Sequence, residues 1–135
     1  MSSDELIIRI VYTDLPTVEV RQHRADERGN IYTLIHPIHY RLLVVPAGFE
    51  SDGASVPRIF WGSVFPSGDN RAMFAALVHD YIYRTHPYGW IKRDADDAFR
   101  DLLKLGGVPL FRAWKAYWGV RLFGGSAWNA GGKSK

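Results

Sequence analysis

The chain has 135 residues, 47% of them hydrophobic and 23% charged, which excludes a disordered segment and suits one domain with a real core. It has no cysteine, so disulfide frameworks, thiolate metal centres and cysteine nucleophiles are excluded. A net charge of +3 favours acidic partners only mildly, and the basic residues form no dense run, so a nucleic-acid groove reader is not expected.

The first residues, Met1-Ser-Ser-Asp-Glu, are acidic and lead into a short apolar stretch, which fits neither a signal peptide nor a membrane span. Synthesis in the cytoplasm and no transmembrane segment are the expectations. Residues 6–12 are apolar and β-branched, and residues 17–22 alternate in period two, so a hairpin turning at Asp14-Leu15-Pro16 is predicted. A polar turn over 24–30 and strands over 31–35 and 38–45 complete a small antiparallel sheet.

At Pro46-Ala-Gly-Phe the composition turns to Gly, Ser and Pro as far as Pro57, which bars regular helix and central strand. A short helix is predicted over 57–64, ended by Phe65-Pro-Ser-Gly-Asp. Met73, Phe74, Leu77, Val78 and Ile82 then recur every three or four residues, predicting a helix over 70–84 capped by Ser67 or Asp69. After the turn Thr85-His-Pro-Tyr-Gly, a second helix carries Ala95, Phe99, Leu102 and Leu103, with Asp94, Asp96 and Asp97 near its positive end. Gly106 and Gly107 stop it, and Pro109 opens a third helix to about Phe123. The fold class is α+β, an N-terminal sheet followed by a three-helix half, as a single domain over 1–124 with a frayed Gly- and Ser-rich tail over 125–135.

His79 and Tyr83 lie four apart on one helical face, and Asp80 projects about 100° round from His79. The short turn to the next helix makes that helix an antiparallel neighbour, able to set Asp96 or Asp97 against the imidazole and fix its tautomer. The plainer alternative makes His79 a satisfied core histidine and Asp80 an exposed partner for Arg84. Ser51-Asp-Gly-Ala-Ser-Val-Pro can turn Asp52 toward a cation or substrate, with Gly53 at the bend and Ser55 as a conceivable nucleophile beside His79, although the segment lacks the Gly-x-Ser-x-Gly elbow. Its structural alternative is a turn in which Asp52 and Ser55 bond their own backbone. His23, His36, His39 and His86 raise the question of Zn²⁺, but their spacing fits no established zinc motif. Phe111, Trp114, Tyr117, Trp118 and Phe123 alternate with Arg112, Lys115 and Arg121. Core packing is the expectation for these rings, and an interface-seeking helix the alternative.

Leu77-Val-His-Asp-Tyr-Ile-Tyr-Arg and Ala95-Asp-Asp-Ala-Phe resemble the helix pair of secreted-type, calcium-dependent phospholipases, chiefly the cysteine-poor bacterial and parvovirus-capsid versions. The resemblance spans residues 77–99, and the family's Gly-x-Gly calcium loop has no counterpart upstream. It implies that His79 activates water, Asp80 ligates Ca²⁺, and Asp96 with Tyr83 orients His79. Gly48-Phe-Glu-Ser-Asp-Gly-Ala-Ser-Val-Pro followed by His-Asp-Tyr-x-Tyr resembles an uncharacterised bacteriophage and prophage family over residues 45–99. The expected function is therefore a phage-encoded phospholipase-like hydrolase acting on a phospholipid or envelope ester during entry or lysis, with Asp52 joining Asp80 at a metal. The rival expectations are a non-enzymatic virion or tail component that binds other virion proteins, and a zinc-dependent cell-wall hydrolase.

Overall fold

A computed structural model describes residues 5–25, 29–53, 55–66 and 69–132. Strands β1 (Glu5–Ile10), β2 (Val18–Ala25), β3 (Gly29–Leu34) and β6 (Glu50–Ser51) form an antiparallel sheet in the order β1-β2-β3-β6. Val18 and Val20 of β2, with Ile31 and Leu34 of β3, are buried, whereas Leu6 and Ile7 of the edge strand β1 face solvent. The polar turn predicted over 24–30 is narrower, since β2 runs to Ala25 and β3 starts at Gly29.

The single strand predicted over 38–45 is instead a tight hairpin of β4 (Ile38–Tyr40) and β5 (Leu43–Val45). Arg41 makes the turn at φ 56°, a conformation that non-glycine residues seldom take. This hairpin buries Ile38, Leu43 and Val45 and leaves Leu42 and Val44 exposed, so the apolar run was a turn and a short strand with two side chains facing outward.

Beyond the sheet, a 3₁₀ turn (Arg58–Phe60) runs into α1 (Trp61–Val64), with Pro57 just before the first helical residue. The three long helices are α2 (Met73–Thr85), α3 (Lys92–Leu105) and α4 (Leu110–Phe123). The architecture is α+β, as the sequence predicts. Helix α2 is buried on nearly every face, packed against β5, β6, α3 and a short helix α5 (Gly125–Ala130).

The N-terminal end of α2 is held by a residue far away in sequence. Tyr12 Oη accepts from the Phe74 N–H at 3.1 Å and donates to the Asn70 carbonyl at 3.2 Å. Asp69 accepts the Arg71 N–H and guanidinium just ahead of the helix, and Ser67 lies outside the described residues. At the other end His86 stops the helix at φ 44°. Its ring stacks on Trp128 at 3.7 Å, and Nε2 hydrogen-bonds the Trp128 carbonyl. The Gly132 N–H also donates to the Arg84 carbonyl. Residues 125–130 thus form a docked helix where composition suggests a frayed tail, because Trp128 finds an aromatic seat on Tyr83 and His86.

Helix α4 departs from the expectation of aromatic core packing at every ring but Tyr117. Its buried face is made of Ala113, Ala116, Tyr117, Gly119 and Val120, while Phe111, Trp118, Leu122 and Phe123 are each more than half exposed. Small residues let the backbone approach Phe60 closely, which leaves Phe111, Trp118 and Phe123 on the outer face and only Tyr117 of the five rings in the core. An added Cβ at Gly119 would lie 2.8 Å from the Phe60 ring, itself stacked on Phe123. Gly→Ala inside a helix ordinarily gains roughly 1 kcal/mol. Gly119→Ala is expected instead to lose about 1–3 kcal/mol through overpacking, measured as a lower thermal midpoint; an unchanged midpoint shows that Phe60 yields.

Candidate active site

The chemistry-bearing side chains converge on α2. His79 and Tyr83 share the face turned to α3, their rings 4.1 Å apart, and Phe99 covers the imidazole at 4.4 Å. Of the two candidate carboxylates, Asp96 meets the imidazole, with His79 Nε2 and Asp96 Oδ1 2.9 Å apart. Asp97 points along the outer side of α3 and accepts from Tyr117 Oη at 2.7 Å.

Asp96 gathers four donor side chains. Its Oδ1 takes His79 Nε2 and, at 2.6 Å, Tyr83 Oη; its Oδ2 takes Lys92 Nζ at 2.8 Å and Arg121 Nη1 at 3.1 Å. Burial works to raise the Asp96 carboxyl, but the bonds from His79, Lys92 and Tyr83 outweigh it and hold the group below the usual carboxylate range. Burial and the Asp96 charge drive the Tyr83 phenol far upward, so it remains a neutral donor. An ionised carboxylate only accepts. In the neutral ring the proton therefore sits on Nε2, facing Asp96, and Nδ1 carries the free lone pair.

That lone pair meets Ser55, whose Oγ lies 2.9 Å from His79 Nδ1. The loop 51–57 is fastened there by Asp80, which accepts Ser51 Oγ at 2.5 Å and the Ser55 N–H at 3.1 Å. Asp80 is thus buried rather than an exposed partner of Arg84, although Arg84 Nη2 does reach it at 3.5 Å. Asp52 takes the same guanidinium at 3.0 Å. The positive φ of 78° at Gly53 supplies the bend that sends Asp52 and Ser55 to different partners. Ser55, Asp80, Tyr83 and Arg84 line an open cavity of about 500 Å³ together with Ser126 and Ala127 of α5.

Asp52 and Asp80 do approach one cation, but it is the guanidinium of Arg84. Calcium asks for six to eight oxygens. With both Asp80 oxygens bonded to loop donors and Asp52 paired to Arg84, these residues do not form that cage. Among the described residues no three His, Asp or Glu side chains group as a metal site, and His86 is engaged with Trp128. Lys92, Arg121 and Ser51 complete the cluster; the sequence placed Ser51 in the loop and Arg121 on the aromatic helix but assigned none of the three to His79 or its carboxylates. Lys92 stands four residues before Asp96 and was legible as a helical pair, whereas Arg121 arrives from another helix with no local signal.

Residues 31–120 match the model of a family described as "Protein of unknown function (DUF1353)". The chain belongs to this family. The match holds the loop 51–57, His79, Asp80, Tyr83, Arg84, Lys92 and Asp96, and leaves β1, all of β2, the first two residues of β3 and Arg121 outside. A curated relative, "Uncharacterized protein y4jT" of Sinorhizobium fredii, is 32% identical over 83 residues, 59% of this chain and 23% of that protein, so the alignment spans under a quarter of the relative's length. No solved structure matches the chain significantly.

Removing the Asp96 charge leaves Lys92 and Arg121 facing each other without their anion. Asp96→Asn is therefore expected to cost about 3–5 kcal/mol in urea unfolding at neutral pH. The lowered carboxyl gives stability that is complete above the ordinary carboxylate value and drains as pH falls through the folded value. The wild-type protein should weaken on the acid side, and the variant's acid limb should be flatter; parallel limbs would show that Asp96 does not drive the loss.

Proposed function

We propose that this chain is a hydrolase of carboxylic esters in which His79 is the general base and Asp96 its positioning partner. One observation carries the reading: a histidine fixed by a buried carboxylate on Nε2 presents Nδ1 to the hydroxyl of Ser55, a residue that borders a cavity. The resemblance of the α2–α3 pair to secreted-type phospholipases supports a lipid or envelope ester, and the loop pattern supports a phage setting in entry or lysis.

The outer face of α4 supports a lipid-borne substrate. Leu110, Phe111, Trp114, Trp118 and Leu122 make an exposed stripe at helical spacing. Six of the seventeen basic residues and none of the fourteen acidic ones follow Asp101; Arg112 and Arg121 are held by Asp69 and Asp96, and the remaining excess supports an anionic bilayer. Co-sedimentation with phosphatidylglycerol-containing vesicles is expected for the wild type and should be lost in the Phe111→Ser/Trp118→Ser double variant. Equal sedimentation of the two proteins would detach the stripe from lipid.

His79→Ala is expected to lower ester turnover by roughly 10²- to 10⁴-fold. Mixed phospholipid vesicles and soluble short-chain esters are the substrates, with circular dichroism of both proteins alongside. Turnover retained by the variant, or none in the wild type, rejects the reading. A second reading rests on a specific observation, the complete burial of His79, Asp80 and Asp96. It makes the cluster a structural network in a non-enzymatic virion component, and it predicts that His79→Ala loses the fold together with an inactive wild type.

A further inference from the structure

We infer that Ser55 is the nucleophile of a metal-independent acyl transfer, an inference that rests on the hydrolase reading above. Water as the attacking group would need to reach His79 Nδ1, but the Ser55 hydroxyl occupies that position at 2.9 Å. The cationic position between Asp52 and Asp80 is likewise filled by a residue of the chain, the Arg84 guanidinium. Both groups that the phospholipase scheme brings from solvent are here covalent parts of the protein.

The line Ser55 Oγ, His79 Nδ1, His79 Nε2, Asp96 Oδ1 has 2.9 Å at each hydrogen bond. Four donors keep Asp96 anionic, so it orients the ring and stabilises the imidazolium without taking its proton. Ser55 is held from two sides, its N–H on Asp80 and its hydroxyl on His79, while its residue lines the cavity. Ser55 is thus positioned by both contacts and borders the cavity, although little of it meets bulk solvent.

In the first half-reaction Ser55 Oγ attacks the ester carbonyl carbon and its proton passes to His79 Nδ1. The tetrahedral intermediate collapses, the carbon–oxygen bond to the alcohol breaks, and the leaving alkoxide takes the proton from Nδ1. The acyl group is then an ester of Ser55. Water attacks that ester, giving its proton to Nδ1; collapse releases the carboxylic acid, and Nδ1 returns the proton to Oγ. The net change is ester plus water to alcohol plus acid. Ala127, Ala130 and Tyr83 give the cavity apolar wall, and Arg84 already faces two carboxylates, so the part of the ester that this cavity suits is its aliphatic acyl chain, which short-chain esters and lipids share.

The deciding experiment treats the full chain with an alkyl fluorophosphonate in the presence of EDTA and maps the adduct by peptide mass spectrometry. Hydrolysis of p-nitrophenyl butyrate by wild type, Ser55→Ala and His79→Ala is followed in parallel. The inference expects the phosphonyl group on Ser55 of the wild type, unaffected by EDTA, and a loss of roughly 10²-fold or more in butyrate turnover for Ser55→Ala. Mapping on the wild type keeps the answer independent of how the variants fold. Turnover that survives in Ser55→Ala but not in His79→Ala overturns the inference and leaves the hydrolase reading standing, with water as nucleophile. An adduct on any other residue, or an unlabelled protein, also overturns it. Absence of turnover on butyrate and on vesicles alike removes both.

Discussion

A single buried carboxylate organises the helical half of this protein. Taking Asp96 out of water costs several kcal/mol, and the cost is met only because donors from three helices arrive together. His79 and Tyr83 come from α2, Lys92 from the first turn of α3, and Arg121 from the last turn of α4. Two cations for one anion would leave a surplus, but Lys92 Nζ also donates to the Val120 carbonyl at 2.7 Å, at the negative end of α4. The crossing of α2, α3 and α4 is therefore set by polar geometry at its centre and by apolar packing around it, with Phe99 and Leu103 fully buried beside the cluster.

Asp80 does for the loop what Asp96 does for the helices. Consecutive residues on a helix diverge by about 100°, so His79 and Asp80 address different neighbours from one turn. His79 looks to α3, whereas Asp80 gathers Ser51 and Ser55 from the loop behind β6. Because β6 pairs with β3 through Tyr32 and Ser51, the sheet is linked to α2 at the residue whose hydroxyl Asp80 holds. Ser55 is then bound by both α2 residues at once, and its place relative to the imidazole is a consequence of sheet register and helix phase.

The parts of this arrangement that follow local periodicity were legible in the sequence. The three long helices and the sheet-then-helix order came from three-and-four spacing, period-two strands and the glycines at 106 and 107. What escaped depended on distant partners. Tyr12 caps α2 from the first hairpin in place of the nearby Asp69, and Arg121 reaches Asp96 from 25 residues away. The turn at Arg41 lacks the glycine or asparagine that marks such turns, which hid the β4–β5 hairpin. In α4 the large rings drew the reading toward the core, but close approach to Phe60 selects the small residues for the inside. At the site, Asp96 over Asp97 is a matter of helical phase and could be reasoned, whereas the pairing of Ser55 with Nδ1 needs the loop path set by Gly53.

The composition of the buried cluster bears on why it exists. Replacing a buried ion pair by well-packed apolar residues is often neutral or stabilising, so stability alone does not favour keeping a carboxylate, an imidazole, a phenol, an ammonium and a guanidinium together at the centre of a 135-residue chain. A structural staple also needs no direction, and a carboxylate answered by Lys92 and Arg121 would already hold α3 to α4. The further donors point one way, since Tyr83 and His79 both bind Oδ1, the oxygen that fixes the ring. With Nε2 engaged, the free electron pair of Nδ1 points at Ser55 of the loop. The same order runs outward, from charge to orientation to a hydroxyl at an apolar cavity, and each step spends polarity that packing does not require. That directionality is the feature on which the proposed hydrolase chemistry rests, and the feature that a purely structural network would not need.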